Sequence, residues 1–400
     1  VDLTMFQPAA PGSLVPITGS DPALGAWEHR AFLPSPLSTT APNLSVQTNL
    51  VIGNARAALA ALDSTARQLP NPRLLRLPTL RREAQSTSAL EGTYAPLADV
   101  LIADDEAPTT PELTEILNYV AAANFGFSWI ADGRPFTTSF VCDLQGRLMK
   151  GTPLEPISGR LREGQVVIGQ RPDADPREHP VHNARFIPCP PGLELEAGLS
   201  ALVSWLKEDH SQQIDPVVAT AMSHYQFETL HPFHDGNGRI GRLLIVLHLV
   251  TSGILSEPTL TVSPWFEARR TQYYDALLSV STAGAWDPFV AFFAEGIRQA
   301  AETTHAEMLD LVTVQAELKA IIRDSKLRAD SAHSLVDVAI ANSSFTVRKA
   351  AAALGLSYHR TNTLVGQLGD LGILQEVGGG YNRIFYAPRV LEVLTNRTSE

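Results

Sequence analysis

The stretch His231-Pro232-Phe233-His234-Asp235-Gly236-Asn237-Gly238-Arg239-Ile240-Gly241-Arg242 decides the reading of this chain. It falls between two segments of helical periodicity, so it reads as a loop that runs into a helix N-terminus. Gly236 and Gly238 permit positive φ and a close approach of the backbone. Successive N–H groups there can form an anion-binding nest, helped by the helix dipole. Arg239 and Arg242 stand three apart on one face of the first turn, and both can reach phosphate oxygens. Asp235 adds a carboxylate beside a phosphate site, a common way of holding Mg²⁺. His231 has the side chain suited to taking a proton near neutrality. These parts suit phosphoryl or nucleotidyl transfer to a hydroxyl. The bland alternative is a Gly-Asn-Gly turn with incidental charges. Zinc held by His224, His231 and His234 is disfavoured, because no His-Glu-x-x-His pair is present.

Outside that segment the chain reads as mainly helical. At about 150 residues per domain, its 400 residues suggest two or three domains. Apolar residues make up 44% and charged residues 18%, enough for a sizeable core. The formal charge of −11 argues against a nonspecific nucleic-acid coat. Two cysteines, Cys142 and Cys189, make no disulfide scaffold and point to a reducing compartment. There is no apolar run of bilayer length, and Val1-Asp2-Leu3-Thr4 opens no signal peptide. A cytoplasmic protein without a membrane partner is the expectation.

Residues 1–45, with seven prolines from Pro8 to Pro42, read as an extended arm, part of which packs through Trp27, Phe32 and Leu33. Helices are expected at 54–68, from Leu80 to a C-cap at Gly92, and at 111–130. Pro70, Pro72 and Pro78 break the pattern between the first two. Residues 159–170 suggest a short hairpin turning at Glu163-Gly164, followed by a proline-rich loop over 171–192. Helices follow at 194–209, 216–230, 239–253, 265–280 and 286–304, with Asp215 as N-cap and Pro216 in the first turn of the second. A charged connector helix is expected over 305–330. Residues 333–390 then read helix, helix, helix and a two-stranded wing turning at Gly378-Gly379-Gly380, which is winged-helix order.

The segment 231–242 resembles the signature of the Fic family, His-Pro-Phe-x-(Asp/Glu)-Gly-Asn-Gly-Arg-x-x-Arg, at every specified position. Its lead-in Ser223-His224-Tyr225-Gln226-Phe227-Glu228 and the downstream Arg270-x-x-Tyr273-Tyr274 are similar too. The resemblance covers roughly residues 80–300, and the tail resembles the winged-helix extension of many bacterial Fic proteins. It implies a Fic-like helical core with a β-hairpin flap and a C-terminal winged helix-turn-helix. The implied domains are a helical N-terminal region over 1–110, the core over 111–304, a connector over 305–332 and the winged helix over 333–400.

The resemblance implies a protein adenylyltransferase, which moves AMP from ATP to a Ser, Thr or Tyr hydroxyl of a protein target or of itself. His231 would be the general base and Asp235 the Mg²⁺ ligand. The backbone from Gly236 to Gly238 and the Asn237 side chain would hold the α- and β-phosphates, with Arg239 on phosphate and Arg242 on the γ-phosphate. Tyr274 would line the adenine pocket or belong to the core. Phe233 would pack inward and anchor the loop. Val167 and Ile168 would border the flap groove that aligns the target. The phosphorylating branch of the family has Lys where Gly238 stands, which favours AMP transfer here, although UTP as donor stays open.

Thr87-Ser88-Ala89-Leu90-Glu91-Gly92 matches a second family pattern, (Ser/Thr)-x-x-x-Glu-(Gly/Asn). It implies an inhibitory helix whose Glu91 pairs with Arg242 and misplaces ATP; in animal relatives the equivalent Glu also supports AMP removal. The C-terminal unit carries Arg348, Lys349, Arg360 and Arg383 against Asp370 and Glu376 over 345–386. Tyr358 to Asn362 would begin a recognition helix, so DNA, the protein target or a second subunit in a homodimer are its candidate ligands. A DNA-binding regulator with a vestigial core is the rival function.

Overall fold

The computed structural model describes residues 2–68, 76–103, 108–175, 177–327, 330–377 and 383–396. Pro70, Pro72 and the Gly378-Gly379-Gly380 turn lie outside the described residues. The elements in chain order begin with β1 (Gly12–Asp21), β2 (Gly25–Pro34), α1 (Val46–Gln68), α2 (Arg76–Leu90), α3 (Leu97–Ile102), α4 (Pro111–Ala131) and α5 (Thr138–Leu148). Next come β3 (Ile168–Gln170), α6 (Pro180–Asn183), β4 (Ala184–Phe186), α7 (Leu193–Lys207), α8 (Pro216–Leu230), α9 (Asn237–Thr251), α10 (Ser263–Ala268) and α11 (Arg270–Ala283). The last are α12 (Trp286–Asp324), α13 (Asp330–Asn342), β5 (Ser344–Thr346), α14 (Val347–Leu354), α15 (Tyr358–Asp370), β6 (Gln375–Val377), β7 (Ile384–Tyr386) and α16 (Pro388–Asn396). The fold is mainly helical with small antiparallel sheets, as expected.

Two compact units divide the chain. The first comprises Val1–Ala57, Ala121–Leu255 and Ala268–Arg298; the second comprises Ala58–Val120, Ser256–Glu267 and Gln299–Glu400.

In the first unit, residues 12–34 correct the expectation of an extended arm. They form a hairpin of two ten-residue strands in continuous antiparallel register, Gly12 opposite Pro34 and Asp21 opposite Gly25. Asp21 makes the turn by accepting from the N–H groups of Ala23 (2.8 Å) and Leu24 (3.0 Å), and Gly25 takes φ +82°. Proline density misled the reading because Pro16 stands in β1, whose second edge pairs with no other strand among the described residues and needs no donor there.

The expected turn at Glu163-Gly164 is also corrected. Strand β3 pairs with β4, Ile168 opposite Phe186 and Gln170 opposite Ala184, so the connection runs through residues 171–183. Residues 160–162 cannot supply the partner strand, because Arg162 is drawn into the interior at 1% exposure. The proline-rich stretch over 171–192 therefore contains α6 and β4.

Helix α8 starts as its sequence dictates: the Asp215 carboxylate accepts from Val217 N–H at 2.8 Å, with Pro216 in the first turn. Helices α8 and α9 pack closely because Gly241 has no side chain; a Cβ there would lie 2.2 Å from Glu228 Oε1 and 3.1 Å from the Phe227 ring.

The second unit surrounds α2, in which every residue from Pro78 to Ser88 is buried. Several of its charged residues meet partners. Arg81 donates to the carbonyls of Val100 (2.8 Å), Leu101 (2.7 Å) and Ala103 (3.0 Å), closing the C-terminus of α3. Arg82 forms a buried ion pair with Glu307 of α12, and Glu83 accepts from Ser263 N–H at 2.9 Å. The C-terminal elements α13 and α16 pack on α2. Gly92 ends the helical segment at φ +96°, as its position predicts.

Helix α12 runs unbroken from Trp286 to Asp324, so the connector expected over 305–330 is the second half of one helix. Helices α13, α14 and α15 precede β6 and β7 in the expected order. Strand β5 is an addition; the sheet has three strands in the order β5-β7-β6.

Candidate active site

All residues of the 231–242 segment lie in the first unit, 231–236 between α8 and α9 and 237–242 in the opening turns of α9. His231 ends α8 in the left-handed region, φ 50° and ψ 61°, and its N–H donates to Phe227 carbonyl. A non-glycine residue held there ahead of a proline is costly, and such geometry clusters at functional sites. The His231 ring donates from Nδ1 to the Glu228 carbonyl at 3.2 Å. That bond selects the tautomer whose Nε2 carries the lone pair.

The loop is shaped from within by Asn237. Its Oδ1 accepts from Phe233 N–H at 2.8 Å and its Nδ2 donates to Phe233 carbonyl at 2.8 Å. Phe233 is fully buried, with its ring 6.5 Å from that of Phe227. Gly236 takes φ +81°, and a Cβ there would lie 2.7 Å from both Leu148 Cδ2 and Met149 Cε. Only glycine meets both conditions.

Helix α9 begins at Asn237, and its first intrahelical bond runs from Ile240 N–H to Gly236 carbonyl. The N–H groups of its first turn therefore have no intrahelical acceptor. Arg239 and Arg242, 1% and 0% exposed, add two buried guanidinium groups to the same turn. Asp235 accepts from Gly236 N–H at 2.5 Å and from Arg239 Nη2 at 3.3 Å, both through Oδ1, while its side chain stays 46% exposed.

Arg242 is oriented by a relay. His224 Nδ1 donates to Gly241 carbonyl at 3.2 Å, which leaves Nε2 to accept from the Tyr273 hydroxyl at 2.7 Å. The Tyr273 oxygen in turn accepts from Arg242. Burial, with the neighbouring Arg242 charge, lowers the His224 pKa to about 3, so the ring is neutral at physiological pH. Burial raises the Tyr273 hydroxyl well above its ordinary value.

Residues 135–249 match the profile described as Fic/DOC family, and residues 50–128 match Fic/DOC family N-terminal. The chain is similar to protein adenylyltransferase fic-1 of Caenorhabditis elegans, 34% identical over 146 residues, which is 35% of this chain and 23% of that protein. It is similar to protein adenylyltransferase Fic of Drosophila virilis, 33% identical over 185 residues, 46% of this chain and 33% of that protein. The chain thus spans a quarter to a third of the length of these curated relatives. In fold it resembles a Fic family protein from Desulfovibrio desulfuricans, with TM-score 0.53 and 22% identity over 87% of this chain and 98% of that one. It also resembles residues 134–508 of Fic-1 from C. elegans, with TM-score 0.50 and 20% identity over 66% of this chain and 73% of that one.

The remaining expected site residues take varied places. Val167 precedes β3 and Ile168 begins it, both half-buried. Tyr274 is half-buried, its ring 5.2 Å from that of Tyr273 and 5.9 Å from the Arg270 guanidinium. Thr87 and Glu91 belong to the second unit, Thr87 fully buried in α2 and Glu91 exposed just past its end. No cluster of three or more His, Cys, Asp or Glu side chains suited to a metal occurs among the described residues. No helix described is long and apolar enough to cross a membrane.

Two residues that hold the 231–242 loop escape sequence reasoning. Arg162 donates from Nε to His231 carbonyl (2.8 Å), from Nη1 to Gly164 carbonyl (3.0 Å) and from Nη2 to Cys189 carbonyl, while its N–H donates to Pro232 carbonyl (3.0 Å). Burial lowers its pKa only to about 10, so the charge persists. Gln145 of α5 donates to Asp235 carbonyl (3.2 Å) and accepts from Gly159 N–H (2.6 Å). Neither stands near the loop in sequence; the one signal was an arginine set into an otherwise Gly-rich and β-branched stretch.

Proposed function

We propose that this chain is a protein adenylyltransferase that moves AMP from ATP to a Ser, Thr or Tyr hydroxyl of a protein target or of itself. The observation that carries this reading is the His231 tautomer: Nδ1 is committed to the Glu228 carbonyl, in a loop that feeds a helix N-terminus bearing Arg239 and Arg242. Similarity to adenylyltransferases of worm and fly supports it.

In this reading the target hydroxyl oxygen attacks the α-phosphorus of ATP, and its proton passes to His231 Nε2. The bond from the α-phosphorus to the bridging oxygen breaks and pyrophosphate leaves. The N–H groups of the first turn of α9 receive the α- and β-phosphates. The Asn237 side chain, occupied with Phe233, shapes that cradle, and its backbone N–H is what it offers to phosphate. Arg239 neutralises phosphate charge, and Arg242, aligned by Tyr273, takes the γ-phosphate.

Asp235 fits a Mg²⁺ ligand: its Oδ1 is anchored, and Oδ2 makes no protein contact among the described residues. One carboxylate plus phosphate oxygens is the usual Mg²⁺ donor set. When bound, the ion would neutralise phosphate charge.

Strand β3, with Val167 and Ile168 at its start, serves as the flap on which an extended target segment aligns. Glu91, at the end of the buried α2, serves as a brake by taking the Arg242 guanidinium from the γ-phosphate. The order α13, α14, α15, β6, β7 supports a winged helix over 330–396. Transfer of labelled AMP tests the whole reading: His231→Ala should label nothing and Glu91→Gly should label more than wild type.

A further inference from the structure

The hairpin β1–β2 lies outside both family matches, which begin at residue 50. Its two faces differ sharply. Cross-strand partners Val15 with Ala31, Ile17 with His29 and Gly19 with Trp27 share one face. On the other face, Phe32 is buried at the open end of the hairpin, whereas Pro16, Thr18, Ser20, Ala26, Glu28 and Arg30 are all exposed.

The covered face packs on the return strand of the flap and the residues leading into it, while β2 also meets α8. Ala31 forms a buried cluster with Val181, Ala184 and Ile187, and Val15, Ile17, Trp27 and flap residue Val167 pack against it. The Trp27 ring stacks on His179 at 4.9 Å, and the His29 ring lies 5.5 Å from that of His182. Phe32 N–H donates to Ile187 carbonyl at 2.9 Å, just past the end of β4. The Trp27 ring is placed by the chain itself: a Cβ at Gly19 would lie 2.2 Å from it, so glycine is required opposite. From its far side β4 is held by the Arg185–Asp275 ion pair to α11.

Strand β3 has three residues and, among the described residues, pairs only with β4. So short a pair is not stable on its own. It takes its position from whatever holds β4, and the hairpin supplies a buried cluster, a backbone hydrogen bond and ring contacts to that hold. We propose that the hairpin β1–β2 is a specificity-determining brace of the Fic flap. By fixing β4 it presets the edge of β3, so that the target's extended segment meets a formed strand and its acceptance depends on residues 12–34. This rests on reading β3 as the target flap. A preformed edge lowers the ordering cost of the target complex.

The test uses the full chain with Trp27→Ala, and with Ile17→Ala as a milder second variant. Amide hydrogen exchange is followed at Ile168, Gln170 and Ala184 to Ile187. Labelled-ATP transfer is read on an array of Ser-, Thr- and Tyr-containing peptides. The brace predicts exchange at least tenfold faster at those amides in Trp27→Ala. It predicts a raised KM for the peptides, a changed set of labelled peptides and a KM for ATP within twofold of wild type. Exchange at wild-type rates in both variants overturns the proposal, as does faster exchange with an unchanged peptide set and peptide KM. Ile168→Asp tests the flap reading by itself. If it labels peptides like wild type, the flap reading falls and this proposal with it. If it loses peptide labelling while Trp27→Ala does not, the hairpin's part alone is refuted.

Discussion

Arg162 ties its guanidinium to the carbonyl of His231, Nε to O at 2.8 Å. The same side chain reaches the carbonyls of Gly164, Cys189 and Leu230, so one buried cation links the start of the flap to the loop that carries the proposed base. A guanidinium is the side chain for this task, because its donors fan out in a plane and one residue can serve several carbonyls.

Replacing Arg162 by Met leaves those carbonyls without a charged donor. The expected loss of stability is about 2–4 kcal/mol, the cost of several buried acceptors losing a strong partner. Urea unfolding of wild type and variant checks this. Arg162→Lys keeps the charge but not the fork, and kcat for AMP transfer should fall about tenfold while the KM for ATP stays within twofold. A kcat equal to wild type would remove Arg162 from the positioning of His231.

Tyr273→Phe breaks the relay between His224 and Arg242 while filling nearly the same volume. The fold should survive, and the KM for ATP should rise about fivefold, as expected for one hydrogen bond worth about 1 kcal/mol. Kinetics at varied ATP decides this; an unchanged KM would mean that Arg242 does not meet the nucleotide.

Gly236→Ala forces a methyl group into Leu148 and Met149 at a backbone conformation of φ +81°. Displacing the loop by about 1 Å is enough to lower transfer about a hundredfold. Gly253→Ala is the control: its φ is +72° but a Cβ there meets nothing within 4 Å. It should cost about 1 kcal/mol of backbone strain and leave transfer untouched.

Buried histidines set the acid limit of the first unit. The pKa values of His224 and His248 are lowered by burial to about 3 and about 4, from an ordinary 6.5. Between the ordinary and the lowered value the unfolded chain binds protons that the folded chain refuses, so stability is complete above pH 6.5 and declines as pH falls below it. Each histidine should cost about 1.4 kcal/mol per pH unit in that window. Urea midpoints at pH 7, 6 and 5 should fall steadily for wild type, and less steeply for His224→Gln. Parallel slopes would mean that His224 is not the titrating group.

The loop over 231–242 was legible because its residues are contiguous: Asp235, Gly236, Asn237, Arg239 and Arg242 are placed by local turns and one helix start. What failed was long-range pairing. Strand β4 cannot be found from residues 184–186 alone, because its partner Ile168 stands beyond a proline-rich connection. The hairpin β1–β2 was hidden by Pro11, Pro16 and Pro22, although Asp21 and Gly25 carried a turn signal. Arg162 carried no local sign of its role, because its donors are consumed by carbonyls such as those of Cys189 and His231, far along the chain. Helix α12 was split at 304 because its charged second half reads as a linker, yet Glu307 is buried against Arg82.

Intact mass spectrometry after incubation with ATP and Mg²⁺ tests the central claim most directly. Glu91→Gly protein should gain the mass of one or more AMP groups, wild type less, and the Glu91→Gly, His231→Ala double variant none. An AMP adduct of equal extent on the double variant would contradict His231 as the base, and no adduct on Glu91→Gly protein or on any hydroxyl-bearing peptide would contradict AMP transfer itself.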